Sequence, residues 1–151
     1  MDERLEPADP DGTFTPSAAL LREDVERFFA SYRDAFNRGD PAAVARHIAA
    51  PCLLIERQTT VWSTADEVLQ AMTRLITFYR ESGAEQAHFV LEQLLPQGET
   101  DVVANVAWTI DRSDGGASWY FRTGYHLRRS DQWRIACCTA YEEAGVRQRM
   151  G

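Results

Sequence analysis

The sequence predicts an α+β domain: a curved antiparallel sheet wrapped around helices, a cone-shaped barrel with an internal cavity. Three observations predict it. Apolar residues recur at spacings of three and four in the first half of the chain, and strand-like alternation fills the second half. The late strands are separated by Pro96-Gln97-Gly98, Asp114-Gly115-Gly116 and Ser130-Asp131, turn chemistries that join consecutive antiparallel strands. Helices first and a meander last place the helices together on one face of the sheet.

In chain order, residues 1–16 carry Pro7, Pro10 and Pro16, Gly12 and five acids, and read as a flexible acidic tail. A single domain is expected over 17–143, with a C-terminal tail over 144–151. Leu21, Val25, Phe28, Phe29, Tyr32 and Phe36 form one helical stripe from Ser17 onward. Gly39 supplies its stop, and Asp40 and Pro41 supply a cap and first residue for a second helix running to about Ile48, which Pro51 ends. Cys52–Glu56 reads as a strand. After a polar stretch and Val61-Trp62, the cluster Ser63-Thr64-Ala65-Asp66-Glu67 opens a third helix, with Val68, Leu69, Met72, Leu75, Ile76 and Tyr79 on its apolar side and an end near Gly83. Four strands follow: His88–Leu95, Asp101–Arg112, Ser118–Arg129 and Gln132–Tyr141.

Composition narrows the chemistry. At 151 residues the chain is one domain's worth. All 16 basic residues are arginine, and with no lysine there is no Schiff base, no lysine-anchored pyridoxal phosphate and no Walker-type phosphate loop. The net charge of −7 argues against nucleic-acid or anionic-membrane binding. That charge is concentrated: residues 1–26 hold eight acids against two arginines, and the remainder holds 15 acids against 14 arginines. Cys52, Cys137 and Cys138 are sparse and odd in number, which suits buried thiols in a reducing compartment. The N-terminus lacks a signal-peptide pattern and no apolar run is long enough to span a bilayer, so a cytoplasmic location is expected. His47, His88 and His126 fall in three different elements without metal-ligand spacing, and no nucleotide-binding glycine motif or nucleophile elbow occurs. No metal and no cofactor is expected.

Two segments carry a family resemblance: Ala30-Ser31-Tyr32 through Asn37-Arg38-Gly39-Asp40 with Ala43-Val44, and Asp131-Gln132-Trp133-Arg134-Ile135 through Thr139-Ala140-Tyr141. With the element order, they make residues 20–143 similar to the nuclear-transport-factor-2-like superfamily, in particular its ketosteroid-isomerase-like and SnoaL-like polyketide-cyclase branches. The resemblance implies the cone, a small apolar ligand in its cavity and, for the enzymes among its members, cofactor-independent proton abstraction next to a carbonyl. Carried over by position, Tyr32 matches the tyrosine that donates to the enolate oxygen, and Glu56 matches the general-base carboxylate. The second donor, a neutral carboxylic acid in the isomerases, falls on Tyr125, where a phenol offers one hydrogen bond without a shifted pKa.

The residues by themselves leave two roles open for each of these three. Tyr32 shares the helical stripe with Val25, Phe28 and Phe36, as a core tyrosine would. Glu56 alternates with Cys52 and Leu54 and either enters the cavity or turns to water. Tyr125 shares a strand face with Phe121, Thr123 and Leu127. Trp62, Tyr79, His88, Trp108, Phe121, Cys138 and Glu142 are the further candidates for the cavity wall. Large side chains on both faces of Trp119–Tyr125 point to a covered outer face as well, hence an isologous homodimer through the sheet. The functional expectation is an isomerase, cyclase or dehydratase acting on an apolar carbonyl compound; the alternative is a non-catalytic ligand-binding or dimerisation module.

Overall fold

A computed structural model describes residues 15–141. The first helix, α1 (Thr15–Arg38), therefore begins two residues inside the expected N-terminal tail; the rest of that tail and the C-terminal tail lie outside the described residues. α1 buries Val25, Phe28, Phe29, Tyr32 and Ala35 on one face, the stripe that its 3.6-residue period demands. It stops at Gly39, whose φ of +67° favours glycine and where a Cβ would also collide with the Arg80 guanidinium. Asp40 then caps α2 (Pro41–Ala45), accepting the Ala43 N–H at 3.1 Å, with Pro41 in the first turn where no N–H is needed.

α2 is shorter than its sequence pattern predicts. Ile48 opens β1 (Ile48–Ile55) instead of closing the helix, because the chain finds a tertiary partner there. Ile48 pairs with Ile135, and the Ile135 N–H donates to the His47 carbonyl at 2.8 Å. Such a partner outweighs a local helical pattern. Pro51 consequently lies inside β1, within the register irregularity between Ile48 and Leu53, where a residue without an N–H is tolerated. The polar stretch after Glu56 and the Val61-Trp62 pair that follows it contain β2 (Thr59–Trp62), hairpin partner of β1. α3 (Ala65–Glu81) is capped by Thr64, which accepts the Glu67 N–H at 3.1 Å, while the Glu67 carboxylate reaches back to the Ser63 N–H.

The remaining strands are β3 (Ala84–Gln97), β4 (Asp101–Arg112), β5 (Trp119–Arg129) and β6 (Trp133–Ala140). They join β1 and β2 in one six-stranded sheet of order β2-β1-β6-β5-β4-β3. The sheet is mixed, since β1 runs parallel to β6; every other pair is antiparallel. β3 is longer than predicted and continues through Pro96, which an edge strand allows. β4 states the layering most clearly: Val102, Ala104, Val106, Trp108 and Ile110 are buried against the helices, and the residues between them are half-buried on the outer face. Among the described residues, no helix is long and apolar enough to cross a membrane.

α1 runs along the free edge of β3 and is tied to it twice. The Asn37 side chain accepts the Ala87 N–H at 2.8 Å and donates to the Ala87 carbonyl at 3.2 Å, and Arg22 donates to the Leu91 carbonyl at 2.7 Å. An edge strand needs such cover for its unpaired groups. Asn37→Ala should therefore lower the unfolding free energy by about 1–3 kcal/mol, the cost of leaving a partly buried donor and acceptor unmade. Urea denaturation checks this; an unchanged midpoint would show that the clamp contributes nothing.

Candidate functional site

Between the inner face of the sheet, α1 and α3 lies a cavity of about 730 Å³, within the size range of small-molecule sites. Aromatic groups dominate its wall: Tyr32 and Phe36 from α1, Phe78 and Tyr79 from α3, Trp108 and Phe121 from the central strands. The rings touch in a chain, Phe36 against Tyr32 at 5.2 Å, Tyr32 against Trp108 at 6.1 Å and Tyr32 against Tyr125 at 6.4 Å between centroids. Interlocked rings fill their own layer and leave the space in front of them open.

Polar groups are few and placed at two depths. At the buried end, the Trp108 Nε1–H donates to the Tyr125 hydroxyl at 3.0 Å. The Thr123 side chain hydrogen-bonds the same phenol, so two neighbours engage the Tyr125 hydroxyl. The Tyr32 hydroxyl has no hydrogen-bond partner among the described residues, although Tyr32 is only 8% exposed and lines the cavity. Burial pushes the Tyr32 phenol well above its usual value of 10, and the Tyr125 phenol beside it adds to the rise. Tyr125 is raised too, by burial and then by Cys138, with the Trp108 hydrogen bond acting in the opposite direction. Both groups are thus neutral donors at any physiological pH. Cys52, also on the wall, is held as a thiol by burial, its pKa raised to about 12, so it is no nucleophile there.

Three further polar residues of the lining are exposed. Glu56 follows the last residue of β1, and its N–H donates to the Gln58 carbonyl at 3.1 Å in the turn leading to β2. Thr60 lies on β2 and Arg74 on α3. These three mark the mouth. Among the described residues neither Glu56 nor Arg74 has an ion-pair partner, and they are not paired with each other.

The structure places Tyr32, Glu56 and Tyr125 on the wall of this one cavity, together with Trp62, Tyr79, Trp108, Phe121 and Cys138. His88 does not join them. Ala87 and Phe89 turn toward the core, so His88 points outward, where its Nε2 lies 2.8 Å from Asp111. Glu142 lies outside the described residues. Arg74 and Thr60 were missed by the sequence reading. Thr60 is two residues from Trp62 and shares its strand face, a signal hidden because Thr60 belongs to a polar stretch; Arg74 sits beside the apolar stripe of α3, next to Leu75. His47 and His126 are engaged elsewhere, His47 with Ser31 and the Ala43 carbonyl, His126 with Asp101. Among the described residues no group of three or more His, Cys, Asp or Glu is placed to hold a metal ion.

The raised phenols carry a pH consequence. A phenol whose folded pKa lies above the unfolded value contributes stability that is complete below about pH 10 and is lost as the pH climbs past it, because the unfolded chain releases protons the folded one keeps. Absorbance at 295 nm should show a tyrosine component that resists ionisation until the protein unfolds, and the Tyr32→Phe/Tyr125→Phe double variant should lose two phenols' worth of it. Five phenols titrating freely in the folded state would contradict the buried arrangement.

Comparison with solved structures places the fold. An NTF2-like protein with a cystatin-like fold from Novosphingobium aromaticivorans superposes with a TM-score of 0.68 at 13% identity, covering 97% of this chain and 99% of that one. An NTF-2 like protein of unknown function from Shewanella oneidensis gives 0.66 at 16% identity, covering 80% and 98%. A ketosteroid isomerase-like protein from Erwinia carotovora atroseptica gives 0.58 at 18% identity, covering 78% and 94%. At these identities the likeness is one of fold. No curated protein matches the sequence. The family model of the NTF2-like protein (DUF6841) group matches residues 22–143, most of the chain, and the protein belongs to that family.

Proposed function

We propose that the cavity binds a largely apolar ketone and that Glu56 moves a proton on the carbon next to its carbonyl, in a cofactor-independent isomerisation or dehydration. The observation that carries this reading is the pair of buried neutral phenols, one of them unpartnered, facing an apolar cavity whose rim holds a carboxylate. In the proposed step the Glu56 carboxylate takes the proton, the C–H electron pair moves into the carbonyl, and the resulting enolate oxygen accepts hydrogen bonds from Tyr32 and Tyr125. Protonation at another carbon, or loss of a β-hydroxyl, completes the reaction. Donors preset in a dry site stabilise such charge more than water does, because they need no reorganisation. Glu56 is exposed on the β1–β2 turn, and a ligand seated across the mouth would cover it.

2-Tetralone, a bicyclic ketone with acidic benzylic protons, tests this without knowledge of the natural substrate. In D2O the protein should speed deuterium exchange at the benzylic position, followed by proton NMR. Glu56→Gln should lower the rate by about 100-fold or more, and Tyr32→Phe by about ten- to 100-fold. Saturable binding without exchange would overturn the catalytic reading and leave a ligand-binding module.

We also propose that the outer sheet face pairs two copies of the chain. Support comes from Val61, Val90, Leu95 and Tyr120, all more than half exposed and all on that face. Exposed apolar groups gathered on one side of a sheet favour a partner surface. Sedimentation at micromolar concentration should give the mass of two chains, and Tyr120→Glu with Val90→Glu should give that of one. A wild-type mass of one chain would end the proposal.

A further inference from the structure

We infer that the ligand carries a carboxylate at the end opposite its carbonyl, and that Arg74 is the residue that selects it. The inference rests on the pocket reading above and adds a substrate class to it: an aromatic or polycyclic keto acid. Among the residues that line the cavity, Arg74 is the sole cation. It is exposed at the mouth, and among the described residues no carboxylate, carbonyl or hydroxyl engages it. That sets it apart from Arg22, Arg27, Arg33, Arg112, Arg122, Arg128 and Arg134, each already paired with an acid.

Its setting defines what it can hold. Ala71, Met72, Leu75, Phe78 and Tyr79 of the same helix line the cavity beside it. A molecule lying along this wall therefore meets apolar surface for most of its length and a guanidinium where it emerges. Tyr32, Thr123 and Tyr125, the buried hydroxyl-bearing residues of the wall, suit a neutral oxygen and have no charge to balance an acid. A planar guanidinium meets a carboxylate through two parallel hydrogen bonds, which fixes orientation as well as affinity. Carbonyl inward and carboxylate outward is thus the one orientation in which each end of such a ligand has its partner. Glu56, the other charged residue of the lining, lies on the β1–β2 turn and is not paired with Arg74.

Three matched probes separate this inference from the reading beneath it: 2-tetralone, 6-carboxy-2-tetralone and 6-carboxamido-2-tetralone, with binding measured by calorimetry. The wild-type protein should bind the acid about five- to tenfold more tightly than the carboxamide at low salt, the gain expected of an exposed charge-assisted pair, and the preference should shrink in 0.5 M salt. Arg74→Gln should abolish the preference for the acid over the carboxamide, and Arg74→Lys should retain part of it. Equal binding of acid and carboxamide by the wild type, or a preference that survives Arg74→Gln, overturns the inference and leaves the pocket reading intact. Absence of saturable binding for all three probes overturns both.

Discussion

The cavity depends on where α1 is held. Asn37 on Ala87 and Arg22 on Leu91 fasten that helix to the free edge of β3, so it covers the sheet from the side and does not settle onto the centre of the inner face. The aromatic side chains of α1 then span the distance that remains. Phe29 meets Tyr125 at 4.9 Å, and Tyr32 reaches Trp108. Stiff, bulky rings in contact act as spacers as much as packing material, since close-packed interiors do not deform continuously. Beyond the rings, toward α3 and the β1–β2 hairpin, no such spacer closes the gap, and there the cavity lies.

The chemistry follows from that geometry. Holding two phenols in an apolar wall costs desolvation, and the molecule offsets it only in part: Tyr125 gains a bond from Trp108, while Tyr32 gains ring contacts and no hydrogen bond among the described residues. Among the described residues the buried polar side-chain atoms without a partner are Arg112 Nε and Trp133 Nε1; the Tyr32 hydroxyl is not one of them, since Tyr32 lines the cavity. The charged groups stay at the rim, where water solvates Glu56 and Arg74 until something displaces it. A deep neutral donor pair and a wet charged mouth give the cavity direction.

Much of this was legible in the residues. The α1 stripe, the stop at Gly39 and the alternation along β4 and β5 are strong periodic signals, and they place Tyr32, Trp108 and Tyr125 on the inner side without further information. Alternation with Cys52 and Leu54 left Glu56 either in the cavity or in water, and it is both exposed and part of the cavity wall. The misreadings differ in kind. β3 runs in unbroken register from Ala87 to Leu91, with Ala87, Phe89 and Leu91 turned to the core, and that alternation is what puts His88 on the outer face. Ile48 joins a strand because β6 is there to pair with it, a fact no local pattern contains. Arg74 went unnoticed because an arginine at the border of an apolar helical face reads as solvated surface unless the space in front of it is known.

The central claim is that the Tyr32 hydroxyl is held ready to donate to a ligand oxygen inside an open cavity. Its most direct measurement is the infrared carbonyl stretch of 2-tetralone labelled with 13C at the carbonyl and bound to the protein. The account requires a bound band at lower frequency than in hexane, moving back toward the hexane value in Tyr32→Phe. A bound band at the hexane frequency, or one that Tyr32→Phe leaves in place, would contradict it.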